Sequence, residues 1–111
     1  MPIKIELEKN LEDRCVAKVE ARGGLALKLA PVGTRGCPDR TILMPGRRAH
    51  GDYYPEIRPR VWFCEFKRAR LGKVSAQQSR WRVLLFQLGF GFYTIDTDEQ
   101  FDAAMERELN R

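Results

Sequence analysis

The sequence predicts an α/β fold: a mixed sheet of about four strands flanked by helices, in the order αβββαβα. Amphipathic helical patterns lie near both ends of the chain, and a third lies between the last two strand patterns. Short apolar runs bounded by Gly and Pro separate them. With 111 residues, 43% hydrophobic and 32% charged, the chain has the size and composition of one globular domain, which we expect to span residues 1–111.

The first half of the chain is predicted to form one helix and two strands. Apolar residues recur at helical spacing over 4–22, and Gly23 or Gly24 is expected to end that helix. The alternating segment 25–31 predicts a strand, and 39–45 a second, shorter one. Segment 46–60, with two Gly, two Pro and four Arg, is predicted to be a basic excursion between strands.

The second half is predicted to form a strand over 61–67, a helix over 76–88, a strand over 91–96 and a last helix. Thr97 and Gln100 form a capping box that opens the last helix. The helix over 76–88 is expected to bury a stripe made of Trp81, Leu84, Leu85 and Leu88.

The strand over 61–67 carries charges among apolar residues. Side chains two apart on a strand share a face, so Glu65 and Lys67 point the same way as Phe63. A carboxylate covered by a helix is costly unless something pairs with it. If this strand pairs with the previous one, Asp39 and Glu65 converge, and two converging carboxylates repel unless a cation lies between them. Oxygen ligands suit Mg²⁺, so the pattern predicts a magnesium site beside Lys67.

Pro38-Asp39 followed by Glu65-Phe66-Lys67 resembles the PD-(D/E)XK nuclease signature. The segments around it resemble the virus-type replication-repair nuclease (VRR-NUC) family over essentially the whole chain. These segments are "RGGLALK" (22–28), "GCPDR" (36–40), "CEFK" (64–67), "SAQQ" (75–78) and "LGFGFYTI" (88–95).

The resemblance implies a restriction-endonuclease-like fold and a nuclease site. In it, Asp39 and Glu65 would be metal ligands, the carbonyl of Phe66 a further ligand, and Lys67 the catalytic lysine. The family also has a glutamate on the first helix. Glu8 lies within roughly 20° of the centre of the apolar stripe and Glu12 roughly 60° away, so we favour Glu8 as a ligand, with Glu12 second.

The family's glutamine falls at Gln78, which we favour, although the helical wheel mildly favours Gln77. Ser75 with Gln78 is also a capping box, which requires no catalytic role.

Lys and Arg outnumber Asp and Glu by 20 to 15, a balance that favours an anionic partner. The arginines of 46–60 form either a DNA-contacting arm or a solvated hairpin. The residues predicted to bind DNA are Lys28, Arg40, Arg47, Arg48, Arg68, Arg70 and Lys73.

The expected function is therefore a Mg²⁺-dependent, structure-specific DNA endonuclease, with Mn²⁺ able to substitute. The resemblance implies branched DNA such as four-way junctions as the substrate, a homodimer, and a phage or prophage origin with a cytoplasmic location. The alternative is a non-catalytic DNA-binding or assembly module on a nuclease-like fold. No membrane span is expected, and the three widely spaced cysteines are expected to be reduced.

Overall fold

The computed structural model describes residues 8–28, 38–49, 51, 56–67 and 76–110, without the side chains of 8 and 76–78. Its elements are α1 (Glu8–Ala21), β1 (Leu25–Leu27), β2 (Arg40–Met44), β3 (Arg60–Phe66), α2 (Ala76–Gln87), β4 (Gly91–Ile95) and α3 (Asp98–Leu109). The predicted order αβββαβα is confirmed. The first strand is shorter than predicted, since Lys28 already lies beyond it and 29–31 lie outside the described residues.

The four strands form one mixed sheet in the order β1-β2-β3-β4. The first three are antiparallel neighbours, as expected for strands joined by direct connections. β3 and β4 run parallel, and α2 lies between them in the chain as a crossover helix. The mixed sheet flanked by helices is therefore as predicted.

The core lies on the sheet face that carries Trp62, Cys64 and Phe66, under α1 and α3. Trp62 and Phe66 both contact the ring of Phe101 from α3, with centroids 5.4 and 6.4 Å apart. The helix α1 buries Leu11, Cys15 and Val19 on the same face, as its helical spacing predicts.

On the opposite face, within the described part of the chain, α2 packs mainly on the edge strand β4. Leu85 is buried, but Leu84 and Leu88 are exposed, so the predicted four-residue stripe is wrong at these two positions. A helix that packs on the edge of a sheet buries fewer of its own side chains than a helix that packs over the centre of the sheet. The same face carries Glu65.

Two glycines end α1 for different reasons. Gly23 has a φ of +80°, the left-handed conformation that glycine adopts without strain. At Gly24 an added Cβ would lie 2.7 Å from the Leu43 carbonyl oxygen, so the chain enters β1 where only a glycine fits. These two residues set how closely α1 approaches β2.

The start of α3 follows the predicted capping box in part. The Gln100 N–H donates to the Thr97 hydroxyl at 3.2 Å, but the Gln100 side chain accepts from the Asp96 N–H at 2.7 Å rather than from Thr97. Among the described residues, none of the helices is long and apolar enough to cross a membrane.

Candidate active site

The site lies where β2 begins and β3 ends. Arg40 is the pairing partner of Cys64, so Asp39 and Glu65, one position further along each strand, lie opposite each other. The predicted convergence of the two carboxylates is confirmed in the structure. The intervening excursion does not separate the strands, because five consecutive residue pairs join β2 to β3.

Two hydrogen bonds fix the carboxylates against the backbone of the opposite strand. The Phe66 N–H donates to Asp39 Oδ2 at 2.8 Å, and the Asp39 N–H donates to Glu65 Oε2 at 3.1 Å. Each acid is thus held by a peptide group of the strand that carries the other acid. This reciprocal arrangement leaves the two side chains little freedom in their relative position.

Lys67 completes the cluster. Its ammonium lies 4.0 Å from Glu65 Oε1, and its backbone N–H donates to the Ile95 carbonyl at 2.9 Å, which holds the end of β3 against β4. Glu65 is only 5% exposed, so its charge is weakly screened by water. One ammonium beside two carboxylates leaves a net negative charge among these three side chains.

The donor set fits a hard divalent cation. The oxygens come from Asp39, Glu65 and the carbonyl of Phe66, the residue whose N–H already binds Asp39. Mg²⁺ commonly takes one or two protein carboxylates and fills its other positions with water and phosphate oxygens. Within the described residues, no group of three His, Cys, Asp or Glu side chains could hold a metal ion, and the Glu8 side chain lies outside them.

A second charged cluster ties α1 to the strands beside the site. Arg40 Nε donates to Glu12 Oε2 at 2.6 Å, and Arg40 Nη1 donates to the Ala26 carbonyl at 2.9 Å. Lys28 Nζ lies 3.8 Å from the same Glu12 oxygen. The side chains of Arg40 and Glu12 are only 16% and 14% exposed, so this is a largely sheltered ion pair rather than a surface one.

The pair of Glu12 with Arg40 is what the sequence reasoning missed. The sequence predicts Glu12 only as a second choice for a metal ligand and Arg40 only as a DNA contact. Arg40 directly follows Asp39 in the chain. Its guanidinium reaches α1, the helix that the sequence links to the site. The signal available in the sequence was a charged residue at an inward-facing strand position, which requires a partner.

The other predicted site residues differ in their exposure and in whether the structure describes them. Lys28, Arg47 and Arg48 are exposed. Gln77 and Gln78 lie in the first turn of α2, but their side chains are outside the described set. Three predicted DNA-binding residues lie outside the described part of the chain: Arg68, Arg70 and Lys73.

Two buried cysteines, Cys15 and Cys64, belong to the hydrophobic core. Burial raises the pKa of the Cys15 thiol to about 12, and it raises the pKa of the Cys64 thiol well above its ordinary value. Both are free, buried thiols that fill the core. They are protonated at physiological pH, so we assign them to packing rather than to chemistry.

Comparison with known proteins agrees with the geometry. No family model matches the chain, and no curated protein matches it. A solved structure titled "VRR_NUC domain" has a TM-score of 0.72 with 25% sequence identity, and the match covers 89% of this chain and 94% of that one.

The fold is that of a nuclease-type domain of the restriction-endonuclease-like class. Within that class, the fold of this chain is similar to that of a VRR-NUC domain, the family that its sequence resembles.

Proposed function

We propose that this protein is a Mg²⁺-dependent DNA endonuclease that hydrolyses phosphodiester bonds. The observation that carries the proposal is the reciprocal bonding of Asp39 and Glu65 across two paired strands, with Lys67 beside them. Backbone hydrogen bonds hold both acids close together, and two carboxylates at close range repel each other unless a cation lies between them. Preorganised acids of this kind make a metal site without a reorganisation cost at the moment of binding.

The residues of the chain divide the chemistry between them. Asp39, Glu65 and the Phe66 carbonyl would hold the metal ion, which when bound lowers the pKa of a water molecule and offsets charge on the phosphate. The Lys67 ammonium would orient the attacking water and stabilise negative charge on a phosphate oxygen. Glu8 remains the proposed helix ligand and Gln78 a further contact. The pairing of Glu12 with Arg40 favours a supporting role for Glu12.

The substrate is proposed to be branched DNA such as a four-way junction, and the protein a phage- or prophage-encoded homodimer in the cytoplasm. The family resemblance supports these finer statements. The net charge of +5 agrees with a polyanionic substrate.

The test is cleavage of labelled linear, flapped and four-way DNA in Mg²⁺, Mn²⁺ or EDTA. We expect strand cuts with either metal, none with EDTA, and preference for branched DNA. Glu65→Gln serves as the matched variant, because it removes one charge while keeping the side chain's size and an acceptor for the Asp39 N–H. Tight DNA binding without cleavage under any metal would instead favour a non-catalytic binding module.

A further inference from the structure

Two consecutive residues at the start of β2 point to opposite faces of the sheet. Arg40 pairs with Cys64, and partners across an antiparallel ladder share a face, so the Arg40 side chain lies on the core face beneath α1. Asp39 and Glu65, one position further along each strand, project from the other face. The Arg40 guanidinium is therefore separated from the acids by the sheet, although Arg40 and Asp39 share a peptide bond.

The Arg40 guanidinium joins three elements on the core face. Its Nε donates to Glu12 Oε2 of α1 at 2.6 Å, and its Nη1 donates to the Ala26 carbonyl of β1 at 2.9 Å. The helix that carries Glu12 is itself fixed there, because Leu11 and Cys15 on either side of it are buried in the core. Arg40 thus ties the start of β2 to a helix and to a strand at once.

Backbone pairing holds this end of β2 less completely than its centre. Among the described residues, the β1–β2 ladder ends with Leu27 opposite Thr41, whereas the β2–β3 ladder extends one residue further, to Arg40. The bond from Arg40 Nη1 to the Ala26 carbonyl therefore supplies a side-chain contact with β1 beyond the end of the backbone ladder. Asp39 lies outside both ladders, directly next to this anchored residue.

The backbone of Asp39 sets the position of both acids. Its N–H donates to Glu65 Oε2 at 3.1 Å, and its own carboxylate accepts from the Phe66 N–H at 2.8 Å. A displacement of this one residue would therefore move the Asp39 carboxylate and release the Glu65 carboxylate at the same time. Binding constellations work only when their groups are held within about 0.5 Å of the productive geometry.

The burial of the Glu12–Arg40 pair distinguishes it from a surface ion pair. The two side chains are 14% and 16% exposed, whereas those of the α1 pair Lys9 and Asp13 are 81% and 57% exposed. Exposed pairs fix little, because water and side-chain entropy compete with them. A sheltered, charge-assisted pair with a second bond to a backbone carbonyl can hold a strand end in one position.

We propose that Arg40 is a positioning residue for the metal site, and that Glu12 and the Ala26 carbonyl hold it in place. Arg40 acts through the backbone: it fixes Asp39 from the core face, and Asp39 in turn fixes both carboxylates on the opposite face. The role of the acids as metal ligands rests on the proposed function, whereas their placement by Arg40 does not. The two statements can therefore be tested separately.

The first test measures amide hydrogen exchange by NMR in the metal-free protein, in EDTA. Arg40→Met keeps an unbranched side chain but removes the guanidinium. It should speed exchange of the Asp39 and Phe66 N–H groups about ten-fold more than exchange at the centre of β3, because only the strand end loses its anchor. A purely structural role would speed exchange equally at both places.

Arg14→Met is the matched control. It removes a two-bond ion pair to Asp98 that ties the same helix, α1, to α3. It should therefore lower the stability of the domain without a selective effect on the Asp39 and Phe66 N–H groups. Arg40→Lys keeps the charge but lacks the planar fork that reaches two acceptors, so it should give the same changes as Arg40→Met to a smaller degree.

The second test measures Mg²⁺ affinity by calorimetry. Loss of a contact that supports a metal ligand commonly weakens binding by about 10–100-fold, so Arg40→Met should raise the Kd for Mg²⁺ at least about ten-fold. Arg14→Met should leave this Kd unchanged. Cleavage by Arg40→Met should recover as the Mg²⁺ concentration is raised, whereas cleavage by Lys67→Ala should not, because the lysine is not a metal ligand.

The outcomes separate the positioning role from the proposed function. Uniform exchange rates or a wild-type Kd for Mg²⁺ in Arg40→Met would overturn the positioning role and leave the nuclease proposal intact. Selective exchange at the strand end in Arg40→Met, with a wild type that binds no divalent cation and cuts no DNA, would overturn the proposed function while retaining Arg40 as the anchor of the two acids.

Discussion

At the level of single residues, Asp39, Glu65 and Lys67 occupy the ends of two paired strands, and each is held through the backbone. Asp39 accepts from the Phe66 N–H, Glu65 accepts from the Asp39 N–H, and the Lys67 N–H binds Ile95. Side chains anchored in this way lose little entropy on binding a metal or a phosphate. Substitutions of Lys67 and of Asp39 are therefore expected to affect different steps.

Lys67→Ala should reduce DNA cleavage by about 10²–10³-fold, because it removes the cation beside the reacting phosphate. Affinity for DNA, measured in EDTA, should change no more than about three-fold, since only one charge is lost. Lys9→Ala removes an equal charge from the exposed surface of α1 and should change neither quantity. If Lys67→Ala cleaves DNA at the rate of the wild type, Lys67 has no catalytic role.

Asp39→Asn should remove most of the stabilisation that a divalent cation confers. At ten times its Kd, Mg²⁺ should stabilise the wild type by about 1.4 kcal/mol, which is about 5 °C in Tm for a domain of this size. The asparagine oxygen can still accept from the Phe66 N–H, so the variant keeps its fold while it loses the charge. Equal Mg²⁺-induced Tm shifts in both proteins would remove Asp39 from the metal site.

At the level of elements, two ionic clusters hold α1 in place. One joins α1 to β2 and to the residue after the site acid, through Glu12 and Arg40. The other joins α1 to the first turns of α3. There Arg14 contacts both oxygens of Asp98 at 2.7 and 3.2 Å, and Lys18 contacts Asp98 and Asp102 at 3.3 and 2.9 Å.

The first cluster predicts an energetic coupling. Glu12→Gln and Arg40→Met should show a coupling of about 1–2 kcal/mol in a double-mutant cycle of urea unfolding, because the pair is sheltered and hydrogen-bonded. The Arg40 guanidinium is engaged by Glu12 and Ala26, so Arg40→Met should leave the salt slope of DNA binding unchanged. A slope reduced by about 1 would instead make Arg40 a phosphate contact, as the sequence predicts.

The second cluster predicts a pH dependence of stability. The hydrogen bond from Arg14 lowers the pKa of Asp98, and the hydrogen bond to Asp102 raises the pKa of Lys18. A lowered carboxyl pKa stabilises the fold above the ordinary value near 3.8, and this stabilisation is lost as pH falls through the lowered pKa. The raised pKa of Lys18 stabilises the fold below 10.5 and loses that effect as pH rises through the folded value.

Asp98→Asn should therefore lower the free energy of unfolding most between about pH 5 and 9, and least in strong acid. The side chains are about one third exposed, so water and salt limit the effect to roughly 1 kcal/mol. Glu99→Gln removes a neighbouring acid from the same helical turn and should cost less. A difference that persists unchanged to pH 2 in urea titrations would show that the effect of Asp98→Asn is not electrostatic.

For the whole molecule, the sheet is well covered on one face and only partly on the other. We call the exposed apolar residues of α2 and the turn after it the α2 surface: Val83, Leu84, Phe86, Leu88 and Phe90. Phe86 is 77% exposed and Leu88 is 63% exposed, which are high values for large apolar side chains. We expect this surface to form the interface of the proposed homodimer, since an isologous interface requires an apolar patch that both copies can share.

Light scattering at micromolar concentration should give a mass near twice 12.9 kDa. Phe86→Glu should shift the protein to the mass of a monomer, because it places a charge at the most exposed residue of the α2 surface. Leu25→Glu makes the same change at an exposed residue of β1, on the opposite edge of the sheet, and should leave the dimer intact. A wild type that is monomeric throughout would contradict the dimer while leaving the site unaffected.

The sequence by itself determined the order of the elements and the identity of the paired acids. Alternation over 61–67 placed Glu65 and Lys67 together, and turn residues such as Gly23 marked where α1 ends, because local periodicity and backbone conformation depend on near neighbours. The sequence also predicts the approach of Asp39 to Glu65. Both residues lie at strand ends, and these ends meet if the two strands pair.

Only the tertiary structure decided features that depend on residues distant in the chain. The bonds between each acid and the opposite backbone follow from the β2–β3 register, which no local pattern specifies. The partnership of Arg40 with Glu12 follows from how closely α1 approaches β2. The exposure of Leu84 and Leu88 follows from α2 resting on an edge strand, because the burial of a helix face depends on what lies beneath it rather than on its own periodicity.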